Sequence, residues 1–368
     1  KSVDYLPRLL LLYIRFKLLT FQLSRHLPAS MTTGFNSKWK PQGRVVPGLG
    51  APSEWKGPFY FAVLADPQLG LLENNESWAE ELRLLRMAVR ELNRLKPAFA
   101  VVVGDLVQQP PVASAADRDS AKSSVRLKQI GDFQEALGEL DSGIPLMCAA
   151  GNHDVGNSPS SFSLERHIDA FGEDYFAWDF GGVRFIVLNS SVYWDPVGGG
   201  GGGVEALAEQ QAWLERELET LQTRDGKEDK KETAKVPRAV VFSHHPFFLD
   251  SVDEEGGAAM GDLCIFGKSI PRSYFHIPKE RRVPVLDKMR EAGVRHVFSG
   301  HCHWNHEKVS EGIEQVVTSA VGMQLCSPSF PGKSGFRLVR VDEGSGIRHA
   351  FFAFEDLTAL SSLSDADA

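Results

Sequence analysis

Six residues of this 368-residue chain combine ligand chemistry with a repeated setting: Asp66, Asp105, Asn152, His244, His301 and His303. Each follows a short apolar run. Asp66 ends Phe59-Tyr-Phe-Ala-Val-Leu-Ala65, and Gly104-Asp105 ends Ala98–Val103. Gly151-Asn152-His153-Asp154 follows Pro145–Ala149, Ser243-His244-His245-Pro246 follows Arg238–Phe242, and Gly300-His301-Cys302-His303 follows Arg295–Phe298. Carboxylate and amide oxygens together with imidazole nitrogens suit Mn, Fe or Zn. Two dications about 3.5–4 Å apart repel each other, and a bridging carboxylate offsets that repulsion best. Singly, each residue has a plainer explanation. An Asp after a strand commonly serves a turn or a helix cap, and a His beside a proline is more often structural. Polar residues repeating at the ends of successive apolar runs point instead to one metal site.

The runs must be strands for the residues to meet. Phe59–Ala65, Ala98–Val103 and Pro145–Ala149 read as buried strands. Between them, Ser77–Lys96 has Leu82, Leu85, Val89 and Leu92 at helical spacing, with Ser77 as a candidate cap and Pro97 as a stop. A second helix is predicted from about Val125 to Leu140. The order β-α-β-α-β predicts a mostly parallel sheet with covering helices, whose ligands gather at the carboxyl ends of the strands. Further on, Gly181-Gly182 between two apolar runs predicts a hairpin. Helices are predicted over Val204–Leu221 and Pro278–Ala292, and the chain beyond His303 reads as short strands closing a second sheet. On an extended strand, His301 and His303 would face one side and Cys302 the other.

With 42% hydrophobic and 24% charged residues the chain is of globular composition. Its net charge of −8 sets it against a polynucleotide partner, because it would repel the phosphate backbone. The four cysteines (Cys148, Cys264, Cys302, Cys326) are scattered and form no C-x-x-C pair, which predicts a reducing, cytoplasmic setting. No uninterrupted apolar stretch of about 18 residues occurs, so no stable membrane span is predicted. Residues 1–30 carry Lys1, Arg8, Arg15, Lys17 and Arg25 against Asp4, in the manner of an organelle transit segment. The preferred expectation is that Met31 is the usual start. Three regions are expected: an extension and irregular lead-in over 1–57, one domain over 58–357, and a flexible tail over 358–368. The Gly198–Gly203 run and the charge-dense Arg224–Lys235 read as linker-like and mobile.

The series Asp66-Pro-Gln68, Gly104-Asp105, Gly151-Asn-His-Asp154, His244 and Gly300-His-Cys-His303 resembles the calcineurin-like metallophosphoesterases. The resemblance runs from about Phe59 to Phe354. Ala65-Asp-Pro-Gln-Leu-Gly70, Gly151–Asn157, Asp174-Tyr-Phe176 and Phe298–His301 look closer still to an animal subfamily described as cytoplasmic serine/threonine protein phosphatases. It implies a four-layer α-β-β-α sandwich of two mixed sheets flanked by helices. It implies two divalent metal ions (Mn, Fe or Zn) and hydrolysis of phosphate monoesters on a phosphoprotein substrate by a metal-bridging hydroxide. By the same resemblance, Asp66 and His303 serve the first metal with Gln68 near it, Asp105 bridges, and Asn152, His244 and His301 serve the second. His153 is the separate catalytic group, and Asp154 orients it. Alternatives are a hydrolase of small phosphate esters or cyclic phosphodiesters, and a catalytically silent metal-binding scaffold. A proton donor beside the metals speaks against the scaffold.

Gln68 departs from most of the family, which has histidine there. An amide oxygen is the weaker, harder ligand and would tilt preference toward Mn or Mg. The stretch from about Glu255 to Arg272 reads as a disordered insertion. His245 is read as structural, and His26, His167, His276, His296 and His349 follow no motif. Tyr193 and Trp194 are read as packing residues.

Overall fold

Strands covered on both faces read as continuous apolar runs rather than alternating ones, and the runs before the six polar residues behave this way. In the computed structural model, which describes residues 40–46, 49, 54–112, 120–199, 202–224, 237–255, 262–265, 268–325, 332–344 and 346–357, β1 (Phe59–Leu64), β2 (Ala100–Val102) and β3 (Leu146–Cys148) lie side by side and parallel. The basic stretch 1–30, residues 225–235 of the charged segment and the tail 358–368 lie outside the described residues. β4 (Phe176–Phe180) and β5 (Val183–Leu188) form the hairpin expected at Gly181-Gly182, where φ is 56° and 80°. Two successive positive φ values match the strand twist, and glycine adopts them without steric cost.

β6 (Ala239–Ser243), a small hairpin of β7 (Asp262–Ile265) and β8 (Lys268–Pro271), and β9 (His296–Ser299) follow. After them come β10 (His306–Ser310), β11 (Ile313–Val317), β12 (Gly335–Val341) and β13 (Ile347–Ala353). The first sheet has the order β13-β12-β1-β2-β3 and the second β10-β11-β9-β6-β5-β4. The chain beyond His303 therefore divides, contrary to expectation. β10 and β11 extend the second sheet, whereas β12 returns to pair antiparallel with β1, Phe61 opposite Val339. The return has a physical cause: β1 is buried along most of its length, and a buried strand needs hydrogen-bonding neighbours on both edges.

Two outer layers of helices complete the expected sandwich. Helix Ala79–Leu95 buries Leu85, Ala88, Val89 and Leu92 on the first sheet, beside Phe133, Ala136 and Leu137 of helix Ala121–Gly138. Helix Gly203–Arg224 contributes Trp213, Leu214, Leu218 and Leu221 to the second sheet's cover, and helix Lys279–Glu291 adds Val285, Leu286 and Met289. Between the sheets lie Phe61, Phe99, Trp178, Phe185, Phe242 and Phe298. Phe61 and Phe99 stack with centroids 4.9 Å apart. Full burial of such a side chain contributes about 1.5–3 kcal/mol.

Local chemistry moves some boundaries. Helix Ala121–Gly138 begins four residues ahead of expectation because Ser120 Oγ accepts from the Ser123 amide (3.2 Å). Trp78, rather than Ser77, occupies the cap position of helix Ala79–Leu95, which ends as Lys96 turns left-handed (φ 52°) before Pro97. The lead-in joins the fold. Val45 pairs with Ala177, and the Asp179 amide donates to Leu49 O (3.1 Å), covering the edge of β4. The stretch read as a disordered insertion contains β7 and β8, so its described part is a hairpin.

Candidate metal centre

Asp66, Asp105, Asn152, His244, His301 and His303 all lie beyond the carboxyl ends of β1, β2, β3, β6 and β9, and all are buried. The chain reverses sharply there. Asp66, Gln68, Asp105, His301 and His303 have φ between 39° and 66°, a region costly for non-glycine residues. The two histidines thus reach the centre from left-handed turns, not from the extended strand expected for them. Cys302 does point away, packed with Leu249, Phe275, Trp304 and Val317. The glycines of the two motifs permit close approach. A Cβ on Gly151 would sit 2.2 Å from the Asp105 amide nitrogen, and one on Gly300 would sit 2.4 Å from Asp66 Oδ2.

The hydrogen bonds fix what each ligand-type atom presents. His244 Nδ1 lies 2.9 Å from Val103 O, so it carries the proton and leaves the Nε2 lone pair inward. That lone pair faces Asn152 Oδ1 at 2.9 Å, His301 Nδ1 at 3.1 Å and Asp105 Oδ2 at 3.3 Å. His301 Nε2 donates to Tyr274 O (3.2 Å), so its Nδ1 also turns a lone pair to the same point. His303 Nδ1 donates to Met323 O (2.5 Å), and its Nε2 lies 3.4 Å from Asp66 Oδ1. Asp66, Asp105 and His244 offer donor atoms within 4.8 Å of one another. Acceptors that converge in this way call for positive charge at one point, which a proton on His244 Nε2 supplies without a metal and a divalent cation would supply in its place. Gln68 adds a buried acceptor. Its Nε2 donates to Gln108 Oε1 (2.9 Å), while its Oε1 has no partner among the described residues. These residues fit divalent metals.

Protons respond to the same field. Burial alone would raise the Asp105 carboxyl, but His244 and His153 hold it well below the usual range. Burial likewise opposes an imidazolium at His244, yet the Asp105 and Asp66 carboxylates push it up to about 9. His303 is raised, against burial, by Asp66, whereas His301 is pushed down by burial and by His244. Burial and the neighbouring Asp105 raise Asp154 to about 7.

His153 and Asp154 separate in role. Asn152–Val155 is a single helical turn, so neighbouring side chains splay apart. The His153 ring is held by Gln108 O (2.8 Å from Nδ1), not by Asp154 as expected. Asp154 instead accepts from the amides of Leu106 (3.1 Å) and Gly151 (2.9 Å), tying the Asp105 loop to the Asn152 loop. The buried Arg126 completes that tie, donating to Gln109 O (2.6 Å), His153 O (3.0 Å) and Asp154 O (2.8 Å). Sequence reasoning missed Arg126, Gln108 and Tyr274. Arg126 stands on a helix with no motif, and Val103, Gln108, Tyr274 and Met323 act through carbonyls, which carry no side-chain signature. His245 is drawn in as well. One of its ring nitrogens lies within 4.8 Å of those of His244 and His301, Ser190 Oγ is 2.9 Å from Nδ1, and Trp194 stacks on its ring.

Comparison with known proteins follows the same residues. The family model described as calcineurin-like phosphoesterase matches residues 59–305. The chain is 33% identical over 333 residues to the serine/threonine-protein phosphatase CPPED1 of Homo sapiens, covering 87% of this chain and 92% of that one. It is 34% identical over 316 residues to the Danio rerio protein of the same name, covering 83% and 88%. Among solved structures, a purple acid phosphatase from yellow lupin, Lupinus luteus, aligns with a TM-score of 0.50 at 15% identity. That alignment covers 84% of this chain and 53% of the lupin chain, and it speaks to fold alone.

Proposed function

The chain belongs to the calcineurin-like phosphoesterase family and is a metal-dependent phosphatase, and from that premise we propose that it removes phosphate from phosphoserine or phosphothreonine of a protein substrate. The observation that carries the site is the convergence of Asn152 Oδ1, His301 Nδ1 and Asp105 Oδ2 on His244 Nε2. In this reading Asp66, His303 and the Gln68 oxygen would hold one divalent metal, Asn152, His244 and His301 would hold a second, and Asp105 would serve both. Bound there, the metals supply an activated water and stabilise charge on the phosphoryl oxygens.

The protein's own residues do the rest. The Val103, Tyr274 and Met323 carbonyls hold three imidazoles in the ligating tautomer. His153 is half-buried, with Nδ1 fixed on Gln108 O, so Nε2 is left for the substrate, and in the imidazolium form it has a proton to pass to the leaving oxygen. Asp105 Oδ1 accepts the His153 amide at 2.8 Å, which couples the proton donor's position to the carboxylate. A protein substrate is supported by relatives named as serine/threonine-protein phosphatases. A cytoplasmic location belongs to the proposal too, resting on few, scattered cysteines, of which Cys148 and Cys302 are free and buried. Among the described residues no helix is long and apolar enough to cross a membrane.

Turnover of a phosphoserine peptide against a cyclic nucleotide tests the substrate class, with Mn2+ supplied and then chelated. The peptide is expected to turn over faster, and chelation to stop it. Faster cleavage of the cyclic diester would overturn the protein-phosphatase reading in favour of a small-molecule hydrolase.

A further inference from the structure

The loops that follow β1 and β2 run together beside the metal centre. Leu69 pairs with Val107, the Gln108 amide donates to Leu69 O (3.1 Å), and the Gln68 amide donates to Asp105 O (2.9 Å). This register brings two side-chain amides into contact, and Gln68 Nε2 donates to Gln108 Oε1 (2.9 Å). The backbone at 108 is fixed independently of its side chain. Its carbonyl holds His153 Nδ1 (2.8 Å). At the next residue, the Gln109 amide donates to Gln129 Oε1 (2.9 Å) and the Gln109 carbonyl accepts from Arg126 (2.6 Å). Gln129 is held in turn by its Nε2, which donates to Asn75 Oδ1 (2.8 Å).

Gln68 is 3% exposed, and its Oε1 has no hydrogen-bond partner among the described residues. Buried polar atoms are ordinarily paired, so an orphaned acceptor marks a position for something that brings positive charge or a proton. The amide can present either of its ends at that position, because its last torsion is broad and two-fold. The two ends are not equivalent. The oxygen has lone pairs for a cation, whereas the NH2 group only donates. Which end is left over is decided by what the other end meets. Here Nε2 meets Gln108, so the oxygen is the end left over.

We propose that Gln108 is a positioning residue for the first metal: by accepting from Gln68 Nε2 it keeps the Gln68 oxygen, rather than the NH2 group, available to that metal. This rests on the two-metal reading above. Its carbonyl holds His153 at the same time, so one residue sets both an amide ligand and the proton donor, the first through its side chain and the second through its backbone. The two can therefore be separated by substitution, which alters the side chain and leaves the carbonyl.

The test is Mn2+ titration of the metal-free chain by calorimetry, with no substrate present. Wild type should take up two Mn2+, and Gln68→Ala should weaken one of them, which identifies the site that the amide serves. A carboxylate at 108 can only accept and an ammonium can only donate. Gln108→Glu should therefore leave that site at wild-type affinity or tighter. Gln108→Lys should turn the Gln68 amide over and weaken the same site by about tenfold. Both variants should keep the wild-type metal-free melting temperature, because the backbone contacts at 108 remain. Repeating the pair in the Gln68→Ala background separates the amide from simple charge, and the gap between Glu and Lys should narrow sharply there. Equal affinities in the Glu and Lys variants, or a gap that stays as wide without the Gln68 amide, would overturn the positioning role. A wild type that takes up fewer than two Mn2+ would overturn the two-metal reading and this role with it, and that result shows before any variant is made.

Discussion

Two clusters of histidine and carboxylate bridge the sheets of this protein, and they differ in what neutralises them. At the carboxyl ends of the strands, Asp66 and Asp105 have only histidines as ion-pair partners among the described residues, and the histidine ring nitrogens face the carboxylates and one another, so the only positive charge there is an exchangeable proton. At the β9–β11 edge, His296 Nδ1 lies 2.9 Å from Glu314 and His349 lies 3.6 Å from both Glu307 and Glu314. In that second cluster the buried Arg337 supplies a fixed positive charge. It donates to Glu307 at 2.8 Å, to Asn305 at 2.9 Å and to His349 Nδ1 at 2.7 Å. The lesson is that residue types do not make a metal centre. A cluster calls for a cation when its acceptors converge without one, and the Arg337 cluster is already satisfied.

The comparison breaks most readily at Asp105. On the proposed two-metal reading, Asp105→Asn removes the carboxylate charge both metals would share, so elemental analysis should find both metals depleted and activity lowered by more than about 10³-fold. Full metal content in that variant would remove Asp105 from the bridging role. The next largest effect separates chemistry from ligation. His153→Ala should lose about 10²–10⁴-fold in kcat while keeping its metals, because the ring donates from outside the cluster. Equal activity would take His153 out of the mechanism.

Arg337→Met probes the other cluster. It removes the buried guanidinium that pairs Glu307 and meets His349, and because Glu307 is half-exposed urea denaturation should show a loss of about 1–3 kcal/mol with metal content unchanged. Metal uptake at that edge in the variant would mean that Arg337 alone had kept a cation out. The smallest effect is expected at Glu314. Hydrogen bonds from His296 and then His349 hold its carboxyl well below the ordinary range. A depressed carboxyl contributes stability above its unfolded value of about 4.3 and loses it as pH falls below that. Glu314→Gln should therefore cost at most about 1 kcal/mol at neutral pH, since the group is half-exposed and screened. The difference from wild type should shrink as pH drops below about 4. A difference that grows in acid would reverse the sign of the argument.

Much of the fold was legible because burial on both faces leaves a continuous apolar run, and β1, β2, β3, β6 and β9 all show one ending in a polar residue. The hairpin at Gly181-Gly182 was legible because two successive positive φ values favour glycine. Return of β12 to β1 was not, because strand pairing over nearly 300 residues of sequence leaves no local trace. The hairpin of β7 and β8 was hidden by a composition that reads as mobile.

What the sequence determined by itself was the inventory of the centre: which oxygens and nitrogens are available, and that they end strands. Side-chain chemistry and apolar patterning are local properties, so they survive in one dimension. Only the tertiary structure decided how those atoms are protonated and aimed. Val103, Tyr274 and Met323 orient three imidazoles through backbone carbonyls, which every residue possesses and no motif marks. It also decided that Asp154 joins two loops rather than orienting His153, since adjacent residues on a helical turn diverge. Lastly, it distinguished the cluster around His244 from the one around Arg337, because whether lone pairs meet a proton, a guanidinium or one another depends on contacts made across two sheets.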